Sequence, residues 1–300
     1  MRKLPALIVA SSMLVALSAC STAPSTSDCS VTEGETSSLI TATGDFGTAP
    51  QVSFPQPLIS TGVESSVLIP GDGTVLHDGQ PVIIEATILS GTDGTPLQTT
   101  AYDPAGGSLF TVGSDGLAAL GEGLECAEVG SRVAIVAPDE AAEGSSSEPI
   151  VFVVDVIEAF ESRADGVDQL PVAGMPAVVT APDGTPGITI PNSEAPSDYR
   201  TSVLKQGDGE EVGETDAVIV KYTAINWDTD TVAESSWTSG SAAFLQLGGG
   251  QVSEGLSRAI AGQTVGSQVL AVIPPDLAGV GGAPAAGTLV YVVDILGTVG

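Results

Sequence analysis

Gly255-Leu256-Ser257-Arg258-Ala259-Ile260-Ala261-Gly262 lies between two β-branched runs, Val218 to Thr223 upstream and Val269 to Ile273 just downstream. Leu256 and Ile260, four apart, share one face of a two-turn helix that Gly262 ends. A longer run, Leu289 to Leu296, follows and is read as a strand through the middle of a sheet. Strands separated by Gly-rich turns around a single short helix predict an α+β unit, a mostly antiparallel sheet wrapped around that helix.

The same pattern occurs twice. Adding 136 carries Pro50 to Pro186, Pro55 to Pro191, Val67-Leu68 to Val203-Leu204, Gly71-Asp72-Gly73 to Gly207-Asp208-Gly209, Val82 to Val218 and Val129-Gly130-Ser131 to Val265-Gly266-Ser267. The helix pair Leu256 and Ile260 has its counterpart in Leu120 and Leu124. Near the end the offset becomes 139, matching Val151 to Asp155 with Val290 to Asp294, so the second copy carries about three extra residues in the preceding loop. A fixed long period marks a repeated structural unit. At about 150 residues per domain, 300 residues also suggest two.

Composition narrows the function. With 42% hydrophobic residues the chain has enough apolar side chain for a core, which excludes a wholly disordered protein. Eight Lys and Arg stand against 37 Asp and Glu, a formal net charge of −29. Such a body repels phosphate backbones, so nucleic acid is excluded as a partner. The single histidine, His77, forms neither a His-based metal cluster nor a Cys/His dyad, and no metal or cofactor is expected.

Arg2 and Lys3 precede an apolar run from Leu4 to Ala16, the charged and apolar parts of an export signal. Its ending, Leu17-Ser18-Ala19-Cys20, resembles the lipobox of bacterial lipoproteins. That resemblance implies cleavage after residue 19 and lipidation of Cys20; an ordinary secretory signal or an uncleaved helix is the alternative. Residues 20–43 then read as a flexible tether at the outer face of the cell membrane. Cys29 and Cys126 remain, and in an oxidising compartment they either form a disulfide or persist as free thiols.

The second copy resembles FKBP-type peptidyl-prolyl isomerases. The stretches that carry the likeness are Gly207-Asp208-Gly209, Val220-Lys221-Tyr222-Thr223, Glu234-Ser235-Ser236, Leu247-Gly248, Gln251 to Leu256, Val265-Gly266-Ser267, Ile273-Pro274-Pro275-Asp276 and Thr288 to Asp294. The resemblance implies two tandem FKBP-like domains: a degenerate one over 44–160, a Gly/Pro-rich linker and lead-in over 161–191 and an isomerase domain over 192–300. It implies catalytic roles for Tyr222, Glu234 and Tyr291, substrate contact by Val252 and Leu256, and proline-containing exported polypeptides as partners. Trp237 is expected to refill space in the pocket and to contact substrate there.

Several positions depart from the family pattern. Ala233 and Ala243 replace phenylalanines, Ser253 an isoleucine, Leu256 a tryptophan and Gly279 a tyrosine. The first copy has Ala86 and Gln98 at the tyrosine and acidic positions and retains only Phe152 of the aromatic set. Two functions follow as expectations: a lipid-anchored prolyl isomerase of reduced activity that assists folding of exported proteins, or a non-catalytic lipoprotein of the same fold acting as chaperone, scaffold or interaction module.

Overall fold

A computed structural model describes residue 29 and residues 33–103, 106–114, 117–138, 148–281 and 284–299. The leader and Cys20 lie outside the described residues. The N-terminal repeat begins with a hairpin, β1 (Thr41–Thr43) and β2 (Gln51–Ser53). It continues through β3 (Glu64–Ile69), β4 (Pro81–Ser90), β5 (Pro96–Thr99), β6 (Ser108–Thr111), α1 (Ala118–Leu124), β7 (Arg132–Ala137) and β8 (Ile150–Ala159). The C-terminal repeat has β9 (Val167–Asp168), a hairpin of β10 (Ala177–Thr180) and β11 (Pro186–Thr189), then β12 (Arg200–Gln206), β13 (Ala217–Asn226), β14 (Thr231–Ser235) and β15 (Ala243–Gln246). The helix α2 (Glu254–Ile260), β16 (Gln268–Ile273), the one-turn α3 (Pro275–Ala278) and β17 (Leu289–Val299) complete it.

The two sheets have the same antiparallel topology, β3-β7-β8-β4-β5 with β6 on β4, and β12-β16-β17-β13-β14 with β15 on β13; β9 adds an edge strand to the second. Their irregularities match as well. Bulges interrupt the first sheet at Val67/Ile69, Ile83/Ile84 and Ile88/Leu89, and the second at Val203/Lys205, Ile219/Val220 and Ala224/Ile225, each 136 residues on. A bulge bends a strand and increases its twist, so shared bulges give shared curvature. The extra residues of the second repeat fall in the loop from β16 to β17, the loop that holds α3.

Both helices pack against the concave face of their own sheet. Leu120 and Leu124 enter a cluster with Ile84, Val133, Ile135, Phe152 and Val154; Leu256 and Ile260 enter one with Val220, Val269, Ala271, Ile273 and Val293. A seven-residue helix is unstable alone, and burying each such side chain contributes about 1.5–3 kcal/mol, so packing rather than propensity holds it. Gly207 shows why the Gly-Asp-Gly turn recurs. A Cβ there would lie 2.1 Å from the Val265 carbonyl oxygen, and one on Gly71 would lie 2.4 Å from that of Val129.

The convex faces are covered by the hairpins, which corrects two sequence expectations. Ala42 and Val52 pack on Ala134, Val136, Val151 and Val153; Val178 and Ile188 pack on Leu270, Val272, Val290 and Val292. The registers Thr41↔Ser53 and Ala177↔Thr189 again differ by 136, so the hairpin belongs to the repeated unit. The described part of the expected tether, from residue 33, is folded: Ser37 and Ile40 are buried, and the Glu64 carboxylate accepts from the Thr36 and Ser37 amides. The expected linker likewise contains buried Ala164 and the β10/β11 hairpin.

Buried polar groups pin each cover down. Arg132 and Asp155 have fully buried side chains; Arg132 Nε and Nη2 donate to Asp155 at 2.5 and 2.7 Å, and the guanidinium also donates to the carbonyls of Gly44, Asp45 and Thr48. At the matching sites of the second repeat, Gln268 donates to Asp294 at 2.7 Å, and Asp294 also accepts from the Ala164 amide at 2.8 Å. A buried pair so fully bonded fixes geometry, while removing one member leaves the other charge unpaired. Asp155→Asn is therefore expected to destabilise the chain by about 3–5 kcal/mol, measured as a fall in the denaturant midpoint.

Cys29 and Cys126 are joined by a disulfide with Cα atoms 5.2 Å apart, fastening the start of the described chain to the end of α1. Cys126 has φ 69°, the left-handed conformation that Gly262 supplies, at φ 75°, 136 residues on. A side chain there costs about 1–2 kcal/mol, whereas closing a loop 97 residues long stabilises by about 4–5 kcal/mol in the chain-entropy model. Thiol titration of the unfolded, unreduced protein should find neither cysteine free, and reduction should lower the melting of the first repeat more than that of the second. Reactive Cys29 and Cys126 in that titration would contradict the pairing.

Candidate functional site

β13 is the strand from which the site is built. It lies between β14 and β17 at one end and between β15 and β17 at the other. Tyr222 and Ala224 point to the concave face, where they join the α2 cluster. Ala224 is opposite Tyr291 on β17 and Glu234 on β14, and this register brings Tyr222, Tyr291 and Glu234 together. The two rings lie 6.0 Å apart with their planes tilted by 40°, within the range of favourable aromatic pairs. Each tyrosine is only 8% exposed, whereas Glu234 is open to solvent.

The electrostatics follow from this placement. Burial pushes the Tyr222 hydroxyl well above its ordinary value, and the neighbouring Glu234 carboxylate adds to the shift. Burial also raises Tyr291, with a further contribution from Glu234. Both phenols therefore stay neutral near neutral pH. The result is a weakly polar aromatic wall with one carboxylate at its rim. Such a surface takes an amide out of water while keeping a hydroxyl as donor.

Val252 is half-buried against the same cluster, and Leu256 is buried beneath it. Ser253, one of the departures, caps the helix: its hydroxyl accepts from the Leu256 amide at 3.3 Å, supplying the oxygen that a first helical turn lacks. Ala243 also packs on the cluster, but Ala233 is exposed and contributes no wall. Sequence reasoning missed Tyr199, which packs on this cluster with a buried hydroxyl raised by desolvation. It precedes β12 and lies outside every periodic run, so no pattern marked it.

Trp237 is a correction. Its ring lies 4.8 Å from the Lys221 ammonium, and side chains alternate along β13, so Lys221 and Trp237 occupy the face opposite Tyr222. The ring therefore does not refill the pocket. In the first repeat, Ala86 and Phe152 are buried in a purely apolar cluster, and Gln98, opposite Ile88, is exposed. No tyrosine–carboxylate arrangement stands at the matching positions.

Known proteins similar to this chain identify its family. The family model described as FKBP-type peptidyl-prolyl cis-trans isomerase matches residues 209–296. An FK506-binding protein of Streptomyces anulatus is 32% identical over 117 residues, which are 37% of this chain and 94% of the relative. A probable FK506-binding protein of Corynebacterium glutamicum is 30% identical over 115 residues, 37% of this chain and 96% of the relative. Among solved structures, the three FKBP domains of wheat FKBP73 are 21% identical, covering 79% of this chain and 95% of that one with a TM-score of 0.32. FkpA from Escherichia coli is 28% identical, covering 40% and 51%, with a TM-score of 0.30. The chain belongs to the FKBP-type peptidyl-prolyl cis-trans isomerase family.

All four tyrosines, Tyr102, Tyr199, Tyr222 and Tyr291, are raised above the ordinary 10.0, in each case first by burial. The folded chain keeps these protons where the unfolded chain loses them. Their contribution to stability is therefore intact below about pH 10 and is lost as pH rises through the folded values. Tyrosinate absorbance is expected to appear together with loss of near-UV dichroism, and Tyr222→Phe should reduce the alkaline loss of stability. Tyrosines that ionise at the ordinary value in a folded chain would contradict this account.

Proposed function

We propose that the second repeat is the catalytic domain of an extracytoplasmic, lipid-anchored prolyl isomerase, and that the first is a degenerate FKBP-like domain. The observation that carries the catalytic part is the grouping of Tyr222, Tyr291 and Glu234 over the Leu256 floor. The tandem reading is supported by matched topology, bulges and hairpin registers at one offset.

Rotation about an X–Pro amide faces a barrier of about 18–20 kcal/mol because the C–N bond has partial double-bond character. Planarity is favoured by charge separation, which water stabilises. Transfer to the Tyr222/Tyr291 wall withdraws that stabilisation, and a tyrosine hydroxyl offers a hydrogen bond to the twisted amide. Bond rotation needs no nucleophile and no proton transfer through Glu234, whose carboxylate at the rim helps keep the Tyr222 hydroxyl protonated. The substrates are proline-containing exported polypeptides, whose isomers otherwise interconvert over tens to hundreds of seconds. With Ala233 exposed and Gly279 in place of a ring, the enclosure is shallow and turnover should be low.

An NMR exchange assay on a short prolyl peptide tests the activity in the full chain. Tyr222→Ala should remove most of the acceleration and Tyr222→Phe less, since the ring supplies the apolar wall; the expected loss for Ala is about tenfold or more. Wild-type exchange indistinguishable from the uncatalysed peptide would instead favour a non-catalytic interaction module. Anchoring is tested separately. Cys20→Ala should abolish fatty-acid labelling and release the chain from the membrane fraction, whereas retention there would defeat the lipoprotein reading.

A further inference from the structure

Lys221 and Trp237 are not part of the pocket, yet one adjoins Tyr222 and the other adjoins a residue bonded to the Tyr222 backbone. Lys221 precedes Tyr222, and Trp237 follows Ser236. Ser236 is fastened to the tyrosine's own backbone: its amide donates to the Tyr222 carbonyl at 3.0 Å, and its hydroxyl accepts from the Tyr222 amide at 2.8 Å. On the reverse face, the Lys221 ammonium lies over the Trp237 ring and donates to the Gly79 carbonyl of the first repeat at 2.9 Å. Lys221 is 5% exposed. A Cβ on Gly184 would come within 2.6 Å of the Trp237 ring, so the turn of the β10/β11 hairpin closes directly on it.

The same two-sidedness extends into β15. Ala243, the register partner of Val220, faces the tyrosine cluster. Its neighbour Ala242 packs with Ile83 and Phe160 of the chain before the hairpin and with Ile219 and Leu296, and its amide donates to Thr111 Oγ1 at 3.0 Å. The first repeat thus bonds to both the strand and the loop that carry the pocket wall. The matching residue of the first repeat behaves differently: the Glu85 carboxylate accepts from Thr100 and from the Tyr102 amide within its own repeat. A buried ammonium is costly unless it is well paired. Lys221 meets that cost across the junction.

We infer that Lys221 and Trp237 are positioning residues for the isomerase site, a latch through which the first repeat holds the Tyr222 wall in its working geometry. The inference rests on the proposed catalytic role of the second repeat, but its structural content can be read independently. The test uses the full chain with Lys221→Met, Lys221→Arg, Trp237→Leu and Thr111→Val, the last altering only the first repeat. Two readouts are taken: the Tyr222 ring resonances in a specifically labelled sample, and kcat and KM for a short prolyl peptide.

The expected result is that Lys221→Met, Trp237→Leu and Thr111→Val each move the Tyr222 resonances and lower kcat by about tenfold with little change in KM. Lys221→Arg, which keeps a charge over the ring, should restore much of both, and Leu170→Ser, at a fully exposed side chain, should change neither. Variants that melt earlier while kcat and the Tyr222 resonances stay at wild-type values would overturn the latch. If the wild-type chain proves inactive, the catalytic reading fails by itself and the resonances decide: unmoved signals overturn the positioning role, and shifted signals sustain it. Should Lys221→Met not fold, Thr111→Val and Trp237→Leu decide in the same way.

Discussion

Lys221 and Tyr222 are one peptide bond apart and leave β13 on opposite faces, and much of the molecule is organised by that alternation. The concave side of the strand builds an aromatic wall above α2. The convex side, at the same residues, meets the first repeat through Gly79 and through the cluster of Ile83, Phe160, Ile219 and Leu296. Because a strand is a stiff two-sided element, a contact on one face fixes the direction in which the other face points. The bulge at Ile219/Val220 sharpens this division, assigning Ile219 to the junction and Val220 to the core.

The repeated unit explains how two such strands come to have different neighbours. Positions 85, 132 and 155 carry Glu, Arg and Asp in the first repeat, while 221, 268 and 294 carry Lys, Gln and Asp in the second. In the first, the arginine pairs with the aspartate and holds the Gly44–Thr48 turn, so its polar group is satisfied within one repeat. In the second, glutamine takes the arginine's place and the positive charge stands on β13 instead. Burial pushes the Asp294 carboxyl upward, with the Ala164 amide, Gln268 and the nearby lysines opposing the shift. Burial lowers the Lys221 ammonium in turn, and Asp294, Asp78 and Asp183 oppose that shift from both sides of the junction. The two repeats therefore solve the same burial problem with different connectivity, one closed upon itself and one opened towards its neighbour.

Much of the fold was legible in the sequence because it rests on local pattern. The offset of 136, the helix pairs Leu120/Leu124 and Leu256/Ile260, and the long final strands all reappear in the structure. The hairpins were not read, although Pro50/Pro186 and Pro55/Pro191 already marked them as repeated. Strands of three or four residues flanked by Gly and Pro carry too little periodicity to be told from a linker. Within the site, Tyr222, Glu234 and Tyr291 followed from the resemblance. Trp237 was misplaced because its surroundings, Lys221 on the reverse face and Gly184 some fifty positions upstream, are set by tertiary contact alone.

The departures from the family pattern acquire a physical sense when both faces of the sheet are considered. Ser253 exchanges apolar wall for a helix cap, which stabilises α2 and so the Leu256 floor beneath the tyrosines. Ala243 gives up a ring on the pocket side of a strand whose other side, at Ala242, is packed against the first repeat. A small residue is well suited to a strand pressed from behind, because a large side chain on the front would push the strand off its backing or the tyrosines out of register. A pocket with fewer aromatics depends more on the placement of those that remain. Tyr222 is bonded through its backbone to Ser236, its ring meets Tyr291 of β17, and the preceding Lys221 is bonded on the reverse face to Gly79. In this chain the strand that carries Tyr222 is therefore packed from behind as closely as it is in front.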